Sequence, residues 1–378
     1  MEEINHGVEH IRAIGRRSGF RQGMAQNDQS DGKETRVVPE GDSRGAHSVS
    51  IIPGLRYPYL VGHANSPASK GVIALAVLVS IVSGVFVALQ SRVNGELGLA
   101  LDNGALAALI SFSTGLTVIS LVIVVSPSGR AGLGALRSAV LEGRLPWWAM
   151  IGGAAGGFLV LTQGLSAGVL GVAVFSIAVV TGQSLGAVLI DSRGWFGVTK
   201  VPLRIQRGLG ALIVLMGVWV ALDVAPGSVP DVGLLFLLPL LAGAGTGFQQ
   251  AVNGRVRATA GSAIAATFVN FVVGTSVLVV AFIASLPTLG LPESLPGTWW
   301  LWTGGFIGAV FIVVQVTVVG IVGVLGLGVS LISGQLIGSI ILDAVAPLST
   351  SHLNASTIVG ALITLAGALM VTLGRRSP

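Results

Sequence analysis

The chain has 378 residues, of which 52% are hydrophobic and only 10% are charged, and its mean hydropathy is +0.85. A soluble domain carries about 25% charged residues, so this composition excludes a protein whose whole surface meets water. The net charge of +5 comes without a basic stripe interleaved with aromatic residues, which argues against nucleic-acid binding. The absence of cysteine excludes disulfides, thiol catalysis and thiolate metal sites.

Residues 1–66 are polar, with mixed charge and little periodicity. Such a segment buries too little apolar surface to fold by itself, so we predict a disordered cytoplasmic tail. Four of the five histidines, His6, His10, His47 and His63, lie in this tail. Because they are scattered through it, we expect them to be solvated and predict no metal site.

Ten apolar segments follow the tail, several of them long enough to cross a hydrocarbon core of roughly 30 Å as a helix. Backbone groups in lipid must bond to one another, so these segments are predicted helices. The sequence therefore predicts an all-α integral membrane protein with ten transmembrane helices. The approximate spans are 71–90, 105–126, 147–166, 169–190, 207–223, 232–250, 263–285, 299–317, 321–342 and 356–373.

The basic residues predict the orientation. With the N-terminus inside, only Arg92 lies on the outer side. This bias predicts that both the N- and the C-terminus lie in the cytoplasm. The predicted location is the inner membrane of the cell, which the chain crosses several times. The basic residues placed inside are Arg130, Arg137, Arg144, Arg193, Lys200, Arg204, Arg207, Arg255, Arg257, Arg375 and Arg376.

One six-residue stretch occurs twice. Gln90-Ser-Arg-Val-Asn94-Gly95 returns as Gln249-Gln-Ala-Val-Asn253-Gly254, at an offset of 159 residues. The halves 71–223 and 232–373 are therefore predicted to be two copies of one unit. Each copy has five helices, an odd number, so the second copy enters the membrane from the opposite side. Further matching residues are Phe112 and Phe271, Gly115 and Gly274, Gly152 and Gly304, Gly156 and Gly308, Gly210 and Gly360, and Gly217 and Gly367.

The two inverted five-helix halves and the repeated Gln-x-x-x-Asn-Gly stretch resemble the drug/metabolite transporter superfamily. Within it the chain is most similar to the YdcZ-like branch, in its fused ten-helix form, over about 71–373. The resemblance implies a central cavity and alternating access of small solutes. The small multidrug exporters of that superfamily carry a coupling glutamate in their first helix. Neither 71–90 nor 232–250 contains an acidic residue.

Paired amide side chains within the apolar segments are the candidate substrate-binding residues. An amide in hydrocarbon is costly without a partner, and a transporter needs such groups in its cavity. The alternative is a hydrogen bond between helices. Glycines four residues apart around Gln183 and Gln335 predict a face that lets a neighbouring helix approach closely. The candidates are Gln163, Gln315, Gln183, Gln335 and Asn270, which has Ser111 at its matched position.

The repeated stretch itself is a candidate gate or hinge. Its polar residues are four apart and share one helical face, and inversion of the repeat places the two copies at opposite membrane faces. The alternative is a polar cap, because Asn-Gly suits a helix C-terminus. The residues are Gln90, Asn94 and Gly95 in the first copy, and Gln249, Asn253 and Gly254 in the second.

Asp191 and Asp343 end matched helices and are, with Arg92, candidates for ion coupling. Arg193 is close to Asp191 in sequence, and Arg92 is expected to pair with Asp343 or with Glu96. The alternative is that both carboxylates lie in water at the membrane surface.

The only histidine of the predicted membrane unit, His352, falls in a predicted outer loop and lacks the serine-base context of a nucleophile elbow. No phosphate-binding Gly-Lys-Ser/Thr loop occurs either. The sequence therefore predicts neither an enzyme nor an ATP-driven pump, and no cofactor. The leading function is a secondary transporter, in particular an exporter, of small organic solutes or metabolites. The alternatives are a lipid flippase, a non-catalytic subunit of a lipid-modifying complex, and a membrane anchor whose tail recruits a partner. The expected partners are the solute, membrane lipids and a second copy of the chain.

Overall fold

A computed structural model of the chain describes residues 69–197, 200–223, 233–347 and 353–374. The predicted tail, 1–66, lies outside these ranges, as do Arg375 and Arg376. Every regular element in the described ranges is a helix. Eight of these helices are long and apolar enough to cross a membrane, and two shorter apolar helices accompany them, Ile205–Ala221 and Trp299–Ile312.

A helix lies in each of the ten predicted apolar segments. An additional short helix, α3, follows Ser126 in a stretch predicted as a loop, where Pro127 occupies the first helical turn. The helices are α1 Lys70–Ala100, α2 Gly104–Val125, α3 Pro127–Leu141, α4 Trp147–Leu170, α5 Val172–Arg193, α6 Ile205–Ala221, α7 Gly233–Ala260, α8 Ala263–Leu289, α9 Gly304–Val345 and α10 Ala355–Leu373.

Side-chain caps start equivalent helices of the two halves. Asn103 Oδ1 accepts a hydrogen bond from Leu106 N, 2.9 Å away, at the start of α2. Ser262 Oγ accepts one from Ala265 N, 3.3 Å away, at the start of α8. The first backbone N–H groups of a helix have no partner within it, so these caps fix where both helices begin.

Matched glycines interrupt the helices that follow. Gly171, with φ of 83°, separates α4 from α5, and Gly323, with φ of 72°, breaks α9. This backbone conformation is open to glycine at little cost. The predicted junctions, 166–169 and 318–321, therefore lie a few residues before the actual breaks.

The interpretation of Asn94-Gly95 and Asn253-Gly254 as helix ends is wrong. α1 continues to Ala100 and α7 to Ala260. The preference of Asn-Gly for a helix end is small compared with the contacts these side chains make to other helices. A tertiary contact therefore overrides the local signal.

Equivalent helices of the two halves contact each other through equivalent residues. Gly115 of α2 lies against Phe271 of α8, and Gly274 of α8 lies against Phe112 of α2. The rings of Phe112 and Phe271 are 5.1 Å apart between centroids. Residues later in α2 contact residues earlier in α8. These two equivalent helices therefore cross in antiparallel directions.

The last helices of the two halves repeat this arrangement. Gly210 of α6 approaches Gly367 of α10, and Gly217 approaches Gly360. The order of the contacts is again reversed. The backbones meet at a distance that leaves no room for a Cβ atom.

The glycines that flank Gln183 and Gln335 confirm the predicted close approach. Gly182 and Gly186 of α5 lie against the backbone of α7. Gly334 and Gly338 of α9 lie in the same way against α1. In each case a helix of one half packs on the first helix of the other half.

Candidate transport site: two amide clusters

Four polar side chains of the first half make up the first amide cluster: Gln90, Ser91, Asn94 and Gln163. Three of them, Asn94, Gln163 and Ser91, are joined by hydrogen bonds, while Asn94 Oδ1 is buried without a partner in the described part of the chain. Asn94 Nδ2 donates to Gln163 Oε1 at 2.7 Å, and Gln163 Nε2 donates to Ser91 Oγ at 3.1 Å. Gln90 Nε2 donates to the carbonyl oxygen of Gly304, at the start of α9, at 3.0 Å. The cluster thus ties α1 to α4 within its own half and to α9 of the other half.

Gln163 is inside this cluster. Its side chain is 1% exposed, and it begins a single π-helical turn, Gln163–Ala167, within α4. Such turns add one residue to the helix and often occur at functional positions. The oxygen and the nitrogen of its side-chain amide both bond to side chains of α1. Gln163 thus makes the hydrogen bond between helices that was the alternative to solute binding.

Glycines let the backbones close over the first amide cluster. A Cβ atom at Gly98 of α1 or Gly104 of α2 would collide with the backbone of Gly164 in α4. One at Gly95 would lie 2.5 Å from the nitrogen of Gly168. Three helices therefore meet backbone to backbone, and we call this crossing of Gly98, Gly104 and Gly164 the glycine seal.

Gln249 and Asn253, the counterparts of Gln90 and Asn94, form the second amide cluster together with Asn270, whose counterpart is Ser111. Asn270 Oδ1 accepts hydrogen bonds from Gln249 Nε2 at 3.0 Å and from Asn253 Nδ2 at 2.9 Å. Asn270 is buried, whereas Gln249 and Asn253 are half-buried. Asn270 thus takes the place that Gln163 has in the first cluster.

The repeated glycines of α4 and α9 make room for these amides. A Cβ atom at Gly308 would collide with the Gln90 amide, and one at Gly156 would collide with the Gln249 amide. Gly304 and Gly152 stand in the same relation to Asn94 and Asn253. Each half therefore supplies the amides for one cluster and the glycines for the other.

The second amide cluster is not closed as the first is. A Cβ atom at Gly254, the counterpart of Gly95, would meet nothing within 4 Å. Gln315, the counterpart of Gln163, is half-buried, and its side chain makes no hydrogen bond within the described part of the chain. Gln250, the counterpart of Ser91, is exposed.

Two further candidates, Gln183 and Gln335, are positioned by the glycines beside them. Gln183 is half-buried and Gln335 is buried. Neither side chain has a hydrogen-bond partner among the residues that the structure describes. Because an unpaired amide inside a membrane protein is costly, both are available to a solute or to water.

Asp343 is near the C-terminal end of α9, and its carboxylate lies against the start of α5. Its Oδ1 accepts from Val172 N at 3.1 Å and its Oδ2 from Ala173 N at 2.8 Å. A carboxylate is favoured there because the N-terminus of a helix carries partial positive charge. The predicted alternative, a carboxylate in water, is wrong for this residue, which is 5% exposed.

Asp191 is also buried, so the alternative of a carboxylate in water is wrong for it as well, and its cation is not the neighbouring Arg193. Arg207 Nη2 of α6 lies 2.9 Å from Asp191 Oδ2, and both side chains are under 5% exposed. Arg193 instead lies over the ring of Trp195, 5.6 Å from its centroid. The sequence predicts Arg207 only as one of the cytoplasmic charges, because nothing in its own stretch of sequence indicates burial.

Arg92 pairs with Glu96, one of its two predicted partners, and also donates to the carbonyl oxygen of Ala346 beyond the end of α9. This arrangement satisfies the guanidinium at the end of the molecule that holds the first amide cluster. The exposed Arg257 lies in the last turns of α7, at the end that holds the second cluster, and Arg255 lies over Trp148 there.

Comparison with known proteins gives a family. No curated protein matches the chain. A solved structure titled "Crystal structure of protein" is similar to it, with 18% identity over 81% of this chain and 99% of that chain and a TM-score of 0.46. A family model described as "Putative inner membrane exporter, YdcZ" matches residues 75–220 and 234–370. Since those residues make up most of the chain and lie on its apolar helices, the chain belongs to the YdcZ family of the drug/metabolite transporter superfamily, a family of multi-pass inner membrane exporters.

Proposed function

We propose that the chain is a secondary transporter that exports small organic solutes by alternating access between two inverted five-helix halves, 71–223 and 232–373. The antiparallel contacts between α2 and α8, and between α6 and α10, support the inversion. A two-fold axis between equivalent helices is expected to make them cross in this way. Inverted repeats about such an axis in the membrane plane are a common transporter architecture.

The basic residues support an orientation for the two clusters. Arg255 and Arg257 are at the end with the second amide cluster, and Arg92 is at the other end. The cytoplasmic side of a membrane protein carries the excess of Lys and Arg. The second amide cluster then faces the cytoplasm, the first faces the outside, and both termini are cytoplasmic.

The observation that carries the proposal is the inequality of the two clusters. Gln163 is buried under the glycine seal, whereas its counterpart Gln315 is half-buried and Gly254, in the second copy of the repeated stretch, has empty space beside it. In an alternating-access protein the two halves adopt unequal conformations, and exchange of those conformations moves the opening from one side to the other. The structure then corresponds to a state that is open to the cytoplasm and closed to the outside.

The sequence at the glycine seal supports export. Gly98, Gly104 and Gly164 have Arg257, Ala263 and Val316 at the matched positions of the second half. Those residues cannot bring three backbones into contact, so the cytoplasmic end closes less tightly than the outer end. We infer that the resting protein favours the state that receives solute from the cytoplasm.

Gln315 and Asn270 are the proposed first contacts of the solute, with Gln183, Gln335 and Gln163 further along the route. Amides both donate and accept hydrogen bonds and carry no charge, which suits small organic solutes with several polar groups. Gln90, Asn94 and Gly95, with Gln249, Asn253 and Gly254, form the proposed gates at the two ends. Ion coupling through Asp191, Asp343 or Arg92 stays a prediction, since each of these groups has a stabilising partner in this state.

Flux through proteoliposomes tests the function. Labelled amino acids, nucleosides, sugars, polyamines and organic cations are offered with imposed proton or sodium gradients. We expect acceleration of one class over protein-free liposomes. Gln315→Ala lowers that flux roughly three- to tenfold, the value of one hydrogen bond to the solute. The control Gln250→Ala removes an exposed glutamine of α7 and leaves the flux unchanged.

Two results contradict the proposal. Equal losses in Gln315→Ala and Gln250→Ala remove Gln315 from the solute route. If no solute class is accelerated under any gradient, the chain is not a solute exporter. Rapid movement of a fluorescent lipid between leaflets in the same liposomes would then support the flippase instead.

A further inference from the structure

A groove of about 650 Å³ lies along α5 at its C-terminal end, and none of its lining residues belongs to either amide cluster. We call it the α5 groove. Its walls are apolar side chains, two of which, Leu189 and Leu203, are 45% and 61% exposed. Its open end is basic, and none of the residues that line it is acidic. The residues used below are Leu185, Val188, Leu189, Arg193, Lys200 and Leu203.

The basic end lies at the level of lipid headgroups. Arg193 occupies the last turn of α5 and Lys200 follows on the next segment, and both are exposed. Trp195, over which Arg193 lies, is 43% exposed. Tryptophan is enriched where hydrocarbon meets headgroups, so the apolar walls face acyl chains and the two cations face phosphates.

The repeat supplies an internal comparison. The matched surface at the other end of the molecule has Ile337, Ile341 and Val345 where α5 has Leu185, Leu189 and Arg193. It keeps the exposed apolar walls, and no Lys or Arg occurs in 346–355. Arg92 bonds to the Ala346 carbonyl at that surface, but it is paired with Glu96. The two exposed cations of the α5 groove are therefore not repeated at the matched surface.

We propose that the α5 groove binds an anionic phospholipid, with the headgroup phosphate between Arg193 and Lys200 and an acyl chain along Leu185, Val188 and Leu189. Cations at a membrane surface attract anionic lipids, and apolar walls retain the chain. The site does not depend on the solute that is exported. Assignment to the cytoplasmic leaflet rests on the orientation proposed above.

Lipid titration followed by native mass spectrometry tests the site on the full-length protein. Phosphatidylglycerol and phosphatidylcholine with identical acyl chains are compared. We expect wild-type protein to prefer phosphatidylglycerol. Arg193→Gln/Lys200→Gln reduces that preference roughly 10- to 30-fold, as expected from the loss of two surface cations. The control Arg130→Gln/Arg257→Gln removes two basic residues elsewhere and keeps the preference.

Further outcomes decide between sources of the phosphate. Glycerol 3-phosphate does not compete with phosphatidylglycerol if the acyl chain contributes, and Leu189→Asn weakens binding of both lipids. Competition by glycerol 3-phosphate at equal concentration would overturn the lipid assignment in favour of a soluble phosphate. A preference that survives in Arg193→Gln/Lys200→Gln, or falls equally in the control, would show that the α5 groove is not the site. None of these results depends on solute flux.

Discussion

The two ends of the molecule share the repeated Gln-x-x-x-Asn-Gly stretch, yet helix backbones close tightly over only the first copy. In the first amide cluster Gln163 bonds to both Asn94 and Ser91. In the second, Gln315 stays apart and Asn270 takes both amide hydrogen bonds. If the two clusters are the proposed gates, their amides hold an end closed where the surrounding helices meet and line an open end where the helices do not meet.

The glycines explain why the ends differ. The first amide cluster lies under the glycine seal, where three backbones touch. At the second, Gly254 has empty space beside it. Close backbone contact favours helix association in lipid, so the end that holds the first amide cluster has the stronger closure. This asymmetry is encoded in the sequence and is independent of any solute.

The largest expected effect concerns the aspartates at the two ends. Asp343 is held by backbone N–H groups, whereas Asp191 is paired with Arg207. Arg207→Met leaves a buried carboxylate without its cation, which we expect to lower the free energy of unfolding by about 3–5 kcal/mol. Denaturant titration in mixed micelles measures it. Arg193→Met, which removes the basic residue closest to Asp191 in sequence, changes stability by less than about 0.5 kcal/mol. Equal losses in the two variants would mean that Arg207 does not stabilise Asp191.

Labelling of single cysteines tests the closed and open ends directly. The chain contains no cysteine, so Ser91→Cys and Gln250→Cys introduce single thiols at matched positions. Ser91 is fully buried and Gln250 is exposed. We expect the Gln250→Cys thiol to react with a membrane-impermeant maleimide on the order of 100-fold faster, because the other thiol reacts only when its end opens.

The sidedness of that labelling sharpens the comparison. In oriented vesicles Gln250→Cys reacts with reagent on the cytoplasmic face. Arg257→Cys, exposed at the same end, confirms access of the reagent. Comparable rates for Ser91→Cys and Gln250→Cys would show that the two ends are equally open, and the proposed resting state would fail.

Some of this arrangement was predictable from the sequence. The repeat identified the amides and the glycines because Gln, Asn and Gly rarely recur at fixed spacing in apolar helices by chance. It could not show that the amides of one half rest on the glycines of the other, since matching residues are equivalent without being in contact. Nor could it find Arg207, whose matched residue is Thr357: burial of a charge depends on the helix that packs over it.

Replacing the matched glycines Gly95 and Gly254 by alanine is expected to change the stability of the protein in opposite directions. A Cβ atom at Gly95 would collide with Ala167 and Gly168, so Gly95→Ala is expected to destabilise the protein by about 1–3 kcal/mol. Gly254 has room, so Gly254→Ala is expected to stabilise it by about 0.5–1 kcal/mol, the usual gain for alanine within a helix. Thermal unfolding in detergent measures both, and changes of the same sign would contradict the assignment of closed and open ends.

The smallest effects are expected from the asparagines. Asn94→Ala leaves the buried Oε1 of Gln163 without its donor, which costs about 1–3 kcal/mol. Asn253→Ala costs less than about 1 kcal/mol, because Asn270 Oδ1 keeps its bond from Gln249 and water reaches the half-buried site. Denaturant titration ranks the two variants.

A second measurement separates loss of the gate from loss of the fold. In the Ser91→Cys background, Asn94→Ala should raise the labelling rate about tenfold, since each 1.4 kcal/mol taken from the closed state increases its opening tenfold. Asn253→Ala in that background should leave the rate unchanged, because its cluster is already open. If Asn253→Ala accelerates labelling as much as Asn94→Ala does, the two clusters are parts of one structural core and do not open independently.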